Sequence, residues 1–245
     1  ISIFSTPFDF SAVDFLEKLD SKAYKIASPE LVDLPLIERV CNTGKPIIIS
    51  TGASSIKEIS EAVSIIKKKG IEKVILLHCT AAYPAPLNEA NLSTMKFLSE
   101  RFDVDIGLSD HTLGTIVSTA AVSLGASLIE KHFTLSRNDG GIDSAFSLEP
   151  REFSNMVNNA IQAYKSIGTP QEKPTNSESS VKRNKRSLYI VKNIKKGELF
   201  NNQNLRSIRP SFGLDPKFLY DIIGKKAAKD LYFGEPLKKE MIVET

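Results

Sequence analysis

Apolar and polar positions alternate in blocks along the first two-thirds of the chain. Short runs rich in Ile, Val and Leu are each followed by a longer stretch whose apolar residues recur every three or four positions. The short runs predict strands at Ile3–Ser5, Ala23–Ala27, Pro46–Ser50, Val74–Cys79, Asp105–Leu108 and Ser127–His132. The longer stretches predict helices near Ala12–Leu19, Pro35–Cys41, Ile56–Lys69, Leu92–Arg101, Thr115–Leu124 and Pro150–Ile167. The third helix is the clearest. Ile56, Ile59, Ala62, Val63, Ile65 and Ile66 share one face, and Lys57, Glu58, Glu61 and Lys67 the other. Ser54 and Ser55 ahead of Glu58 have nearly the form of a capping box.

Strands that are almost wholly apolar, each feeding a helix, imply a parallel sheet covered by helices. A doubly wound sheet and a (β/α)8-type TIM barrel both satisfy that pattern. The strand ends favour the barrel. Polar groups follow every strand: Ser5-Thr6, Lys25 with Ser28 and Glu30, Ser50-Thr51, His78 with Thr80 and Tyr83, Ser109 with His111, and Glu130 with His132. A doubly wound sheet concentrates its chemistry at one switch point, whereas a barrel gathers it from all the strand ends. Residues 1–168 supply six strand–helix units. The chain opens without a Met inside a strand-like run, so the other two units of a barrel are expected ahead of Ile1.

The 245 residues allow one large α/β domain and one small one. Residues 169–186 are polar and rich in Pro and Ser, as linkers are. The basic run Lys182-Arg183-Asn184-Lys185-Arg186 reads as a solvated charged face. Residues 187–245 form a small domain of short strands and turns. Ser187–Val191 alternates as a strand, Lys195–Glu198 is a turn, and Gly213, Gly224 and Gly234 punctuate the remainder of the chain. So short a stretch has a meagre core, so the domain should lean on the barrel or on a second subunit.

A net charge of +3, spread along the chain, does not point to nucleic acid. No apolar run approaches the roughly 20 residues of a membrane span, and no signal-peptide pattern is visible. Cys41 and Cys79 lie in apolar runs, which argues for reduced thiols and a cytoplasmic location.

Two of the three histidines, His111 and His132, stand at equivalent ends of successive strands. Two neutral imidazoles converging there would hold a divalent metal of the Mn/Fe/Co/Zn group. Each taken alone reads equally as an ordinary polar strand-end residue. Thr6, Ser28, Ser50 and Ser109, with Lys25, supply the short donors and the positive charge that a phosphate requires. A metal beside a phosphate site suits Lewis-acid activation of a carbonyl. Lys25 has a rival reading as the Schiff-base lysine of an aldolase; its company of Ser28 and Glu30 fits ion binding better.

These residues fall in motifs that resemble the sialic acid synthase family. They are Lys25-Ile26-Ala27-Ser28-Pro29-Glu30, Ile49-Ser50-Thr51-Gly52, Leu77-His78-Cys79-Thr80-Ala81-Ala82-Tyr83-Pro84, Gly107-Leu108-Ser109-Asp110-His111-Thr112 and Glu130-Lys131-His132-Phe133-Thr134. Ile194–Glu198 and Arg206–Pro210 resemble that family's antifreeze-like (SAF) domain. The resemblance implies condensation of phosphoenolpyruvate with an N-acetylated amino-sugar, giving a nine-carbon nonulosonic acid and phosphate. It implies a divalent metal on His111 and His132, with Mn2+ ahead of Mg2+ or Co2+. Thr6, Lys25, Ser28, Ser50 and Ser109 would bind phosphoenolpyruvate, and Glu30 would position a water. Lys25, Glu30 and the two histidines would form the catalytic set. Tyr83 and Asp143 would face the sugar. Arg209 would reach it from the SAF domain of the partner in a domain-swapped homodimer.

The chain has Ala81 where neuraminate synthases usually carry Asn, and Gly140-Gly141-Ile142-Asp143-Ser144-Ala145-Phe146-Ser147 after the second histidine. The latter segment resembles the pseudaminic acid synthase branch, which implies a 2,4-diacetamido-2,4,6-trideoxy hexose, the altrose form first, as substrate, while Ala81 removes any amide contact at that position. Neuraminate or legionaminate synthesis is the alternative. A non-enzymatic carbohydrate-binding module is the remaining one, disfavoured as an ice-binding face by Lys195-Lys196 and Lys225-Lys226.

Overall fold

A computed structural model describes residues 1–243. It divides the chain into two compact units, Ile1–Gly168 and Thr169–Thr245. In the first, helices alternate with strands: α1 (Phe10–Lys18), β1 (Tyr24–Ile26), α2 (Leu34–Cys41), β2 (Ile47–Ser50), α3 (Ile56–Lys68), β3 (Val74–Cys79), α4 (Ser93–Phe102), β4 (Asp105–Asp110), α5 (Ile116–Ser123), β5 (Leu128–Lys131) and α6 (Pro150–Ile167). Local chemistry sets the helix starts. The Asp9 carboxylate accepts from the Ala12 N–H at α1, and Asp33 accepts from Leu36 N–H at α2. Ser55 and Glu58 cap each other's backbone at α3, and Glu149 and Glu152 do so at α6, where Pro150 takes the first position.

The five strands form one parallel sheet in the order β1-β2-β3-β4-β5, the helix-backed sheet of a TIM barrel. Parity along each strand divides its side chains. Tyr24, Ile26, Ile47, Ile49, Val74, Leu76, Ile106 and Leu108 pack in one core with Val13, Leu36, Ile37, Ile59, Val63, Ile66, Met95 and Leu98 of the helices. Each such burial contributes about 1.5–3 kcal/mol. The intervening residues Lys25, Ser50, Cys79, Ser109 and Glu130 line a cavity on the other face.

The expected first strand is reduced to one parallel bridge, Ser5 to Tyr24, with the Lys25 N–H donating to Ser5 O at 3.2 Å. Ile1 and Ile3 are exposed. At the far edge the chain makes a pairing that periodicity did not predict. Phe133 bridges Leu148 in parallel, with Leu148 N–H donating to His132 O at 2.9 Å.

In the second unit, residues 169–186 are not featureless. A turn of 3-10 helix at Asn176–Glu178, boxed by Thr175 and Glu178, runs into the short helix α7 (Ser179–Lys182). β6 (Ser187–Ile190) and β7 (Leu205–Ile208) pair antiparallel, and α8 (Leu219–Ile222) comes after them. Leu188, Ile190, Ile194, Phe200, Leu205, Leu231 and Leu237 make a separate core. Gly197 turns at φ +86°, with Glu198 N–H donating to Lys195 O at 2.9 Å. Among the described residues no helix is long and apolar enough to cross a membrane.

Gly107 of β4 sits where its neighbours leave no room for a side chain. A Cβ there would stand 2.4 Å from Leu128 O and 2.5 Å from Leu77 Cδ2. Gly107→Ala should therefore lower stability by about 1–3 kcal/mol in urea denaturation; an unchanged midpoint would show that the sheet yields freely there.

Candidate active site

The carboxyl ends of all five strands open into one cavity of about 710 Å3. Lys25 enters it from β1, Ser50 from β2, Cys79 from β3, Ser109 from β4 and Glu130 from β5. His111 and His132 are the residues directly after β4 and β5, and both line it. Thr6, Ser28, Gly52, Ala81 and Tyr83 come from the adjoining loops. Every residue expected to bind phosphoenolpyruvate is thus on one wall system.

The donors differ in what they have left to give. Ser50 Oγ is buried and has no partner. Ser28 Oγ accepts the Gly52 N–H at 2.9 Å and its hydroxyl lies against Cys79 Sγ, a weak acceptor that a phosphate oxygen would displace. Ser109 Oγ already donates to Glu130 Oε1 at 2.6 Å. Lys25 Nζ donates to Ile26 O at 3.1 Å and stands 3.5 Å from Glu130 Oε2. Burial draws the Lys25 pKa down, and the Glu130 carboxylate opposes that shift. Gly52 is required by close approach, since a Cβ there would meet Cys79 Sγ and Ser28 Oγ at 2.9 Å each.

The two imidazoles meet edge to face, with ring centres 5.3 Å apart and planes inclined at 62°. His111 Nδ1–H donates to Thr80 O at 3.0 Å, which fixes the tautomer and leaves Nε2 as a lone-pair donor. Burial lowers the His111 pKa and favours that neutral form. With a metal–nitrogen bond of about 2.1 Å, two imidazoles on one ion have centres roughly 5 Å apart, so the pair fits a shared cation. Among the described residues no group of three or more His, Cys, Asp or Glu side chains is arranged for a metal.

The remaining expected residues divide. Tyr83 lines the cavity, its ring 4.3 Å from His111 and 5.8 Å from His132. Asp143 and Glu30 are not on the cavity wall. Asp143 Oδ2 sits 3.7 Å from His132 Nδ1. Glu30 occupies the 3-10 turn Pro29–Val32, with Oε2 buried and unpartnered. Arg209 follows β7 in the second unit, just before Pro210.

His78 is a correction. Its place in the sequence groups it with the strand-end chemistry, but its parity turns it away from the cavity, where buried Nε2–H donates to Ala90 O at 2.8 Å. Cys41 and Cys79 are both buried and unpaired, and burial pushes the Cys41 thiol up to about 11.

Sequence reasoning passed over Glu130 and Phe146 as site residues. Glu130 joins Lys25 to Ser109, and its spacing from His132 by one residue was the available signal. Phe146 stands edge-on to His132 at 5.0 Å and 5.7 Å from Tyr83. Its loop is tied down by Arg137, which donates to Ser147 O and to both Glu152 oxygens; nothing in the periodicity signals that.

Residues 1–172 match the NeuB family model, and residues 185–243 match the SAF domain. The pseudaminic acid synthase of Helicobacter pylori is 41% identical, over 99% of this chain and 72% of its own length. The N,N'-diacetyllegionaminic acid synthase of Campylobacter jejuni is 42% identical, over 98% of this chain and 72% of its own. A crystal structure of N-acetylneuraminic acid synthetase from Leptospira borgpetersenii, in complex with citrate, superposes with a TM-score of 0.70 at 38% identity. That match covers 74% of this chain and 63% of the other. The chain thus spans about seven-tenths of these curated relatives, and it belongs to the NeuB family, with a SAF domain in its C-terminal unit.

Proposed function

We propose that this chain carries the reaction centre of a nonulosonic acid synthase. It condenses phosphoenolpyruvate with an N-acetylated amino-sugar and releases phosphate. The observation that supports this best is the single cavity in which unspent hydroxyls and a lysine stand beside two converging imidazoles. Relatives named pseudaminic acid synthase and legionaminic acid synthase match equally well. The Gly140–Ser147 segment favours the pseudaminic branch, with 2,4-diacetamido-2,4,6-trideoxy-altrose as the sugar.

Ser28 and Ser50 donate to the phosphate, and Lys25 supplies the neutralising charge. Ser109, oriented by Glu130, completes that wall. His111 and His132 would hold a divalent cation, Mn2+ before Mg2+ or Co2+, and the chemistry it would supply is Lewis-acid polarisation of the sugar carbonyl. C3 of phosphoenolpyruvate then bonds to the carbonyl carbon, whose oxygen takes up a proton. Positive charge develops at C2, and a water adds there. Glu30, on the turn after Ser28, would position that water, whose proton passes to solvent. The tetrahedral intermediate breaks its C–O bond, and phosphate leaves into the hydroxyl ring. Tyr83 and Asp143 border the sugar side. Arg209 of a partner's SAF domain reaches the sugar's acyl group in a homodimer.

One observation favours a second reading. A buried lysine of lowered pKa also suits a Schiff-base aldolase. Borohydride trapping of pyruvate on Lys25, with activity indifferent to chelators, would establish that reading instead.

The full-length protein, given Mn2+, phosphoenolpyruvate and the diacetamido sugar, should release one phosphate per nine-carbon product. Product mass identifies the sugar used, and no release with any N-acetylated amino-sugar ends the proposal. Ser50→Ala loses a hydrogen bond to a charged ligand and no internal one. It should raise KM for phosphoenolpyruvate about 10- to 100-fold at unchanged melting temperature. Gly52→Ala pushes a methyl among Ser28, Cys79 and Ala81. It should weaken inorganic phosphate binding about tenfold or more, read by calorimetry.

A further inference from the structure

Asp110 and Lys131 take no part in the reaction just described, yet they are the most deeply buried charges near it. Their side chains are 0% and 1% exposed, with Lys131 Nζ 2.9 Å from Asp110 Oδ2. They are register partners across β4 and β5, one step beyond the Ser109–Glu130 pair that lines the cavity. Each immediately precedes a cavity histidine, Asp110 before His111 and Lys131 before His132.

Stability alone is a weak reason to keep such a pair. Apolar residues of similar volume in place of a buried ion pair are often neutral or stabilising. What apolar residues would not reproduce is direction. Asp110 Oδ1 accepts from Thr112 N–H at 2.9 Å and from Thr112 Oγ1 at 2.7 Å. Its Oδ2 accepts from Ser118 Oγ of α5 at 2.6 Å. Lys131 Nζ donates to Thr112 O. The pair therefore grips both main-chain groups of the residue after His111. The His111 backbone is held at Asp110 on one side and at Thr112 on the other, from the strand that carries His132.

We propose that Asp110 and Lys131 are positioning residues: by clamping Thr112 from the helix-facing side of β4 and β5, they set the separation at which His111 and His132 meet. This inference rests on the cation site of the proposed function. It extends the site to a layer behind the imidazoles, where supporting hydrogen bonds tune ligand geometry.

The test is Asp110→Leu/Lys131→Met in the full-length protein, with Mn2+ binding measured by calorimetry beside steady-state kinetics. The double variant keeps the apolar volume but leaves Thr112 and Ser118 without those partners, so it should stay folded with a lowered melting temperature. Its Mn2+ affinity should fall about 10- to 100-fold. Its kcat should fall while KM for phosphoenolpyruvate, set by Ser28, Ser50 and Lys25, moves little. A folded double variant with wild-type Mn2+ affinity overturns the inference and leaves the cation site standing. A wild-type protein that binds no Mn2+ overturns both. If the double variant does not fold, Ser118→Ala decides. It removes one bond to Asp110 from α5, and should lower Mn2+ affinity about fivefold at unchanged melting temperature. Unchanged affinity there overturns the inference as well.

Discussion

The site depends on the parity of five short parallel strands. Ser109 faces Glu130 and Asp110 faces Lys131 across β4 and β5. A slip of one residue would send Ser109 and Glu130 to the helices and bring Asp110 and Lys131 into the cavity. The backbone ladder alone does not choose between these registers. The choice is made by the apolar residues in between, Ile106 and Leu108 on β4 and Ile129 on β5, which pack against the helices. Burial of these side chains outweighs the modest net contribution of individual backbone hydrogen bonds. The catalytic face is therefore specified from behind, by residues that never meet a ligand.

Two acid–base pairs sit on opposite faces of this sheet, and their surroundings give them different behaviour. Glu130 is 41% exposed and stands 3.5 Å from Lys25. Water reaches the Glu130 end of that pair, so the contact is held loosely enough for Lys25 to change partner. Asp110 and Lys131 are shut off from water. Interactions there are screened little, and every lone pair or proton left unmet would be expensive. That second pair is accordingly saturated, with Thr112 and Ser118 completing it. A mobile pair faces the cavity and a fixed pair backs it.

Much of this was legible in the sequence because strand and helix periods are strong signals. The α3 face, its Ser55–Glu58 cap and the five ladder strands follow from pattern. The gathering of Lys25, Ser28, Ser50, Ser109, His111 and His132 followed from one rule, that barrel chemistry lies at strand ends. The same rule failed at His78, because it counts residues near an end without asking which way they point. Glu130 and the Asp110–Lys131 pair were hidden for a related reason. In Ser109-Asp110-His111 and Glu130-Lys131-His132 every residue is polar, so hydropathy cannot separate the cavity face from the helix face. Ile3–Ser5 has strand composition but forms a single bridge, because pairing is not a local property of sequence. The loop that brings Phe146 to His132 hangs on Arg137, a contact across 15 residues to Glu152 that no period predicts.

Buried polar atoms without partners usually weaken a fold, and in the first unit Ser50 Oγ and Glu30 Oε2 are such atoms. One lines the cavity, and the other lies on the turn that follows Ser28. Gly52 keeps the space between Ser28 and Cys79 open where any side chain would fill it. A cavity whose donors were all satisfied internally would have to break bonds before holding an anion. Here part of that desolvation is already met by the fold, so a ligand that brings oxygen acceptors recovers it on binding. The stability forgone at Ser50, whose hydroxyl is a donor on the cavity wall, is thus free energy that a ligand with an oxygen acceptor to place there would recover.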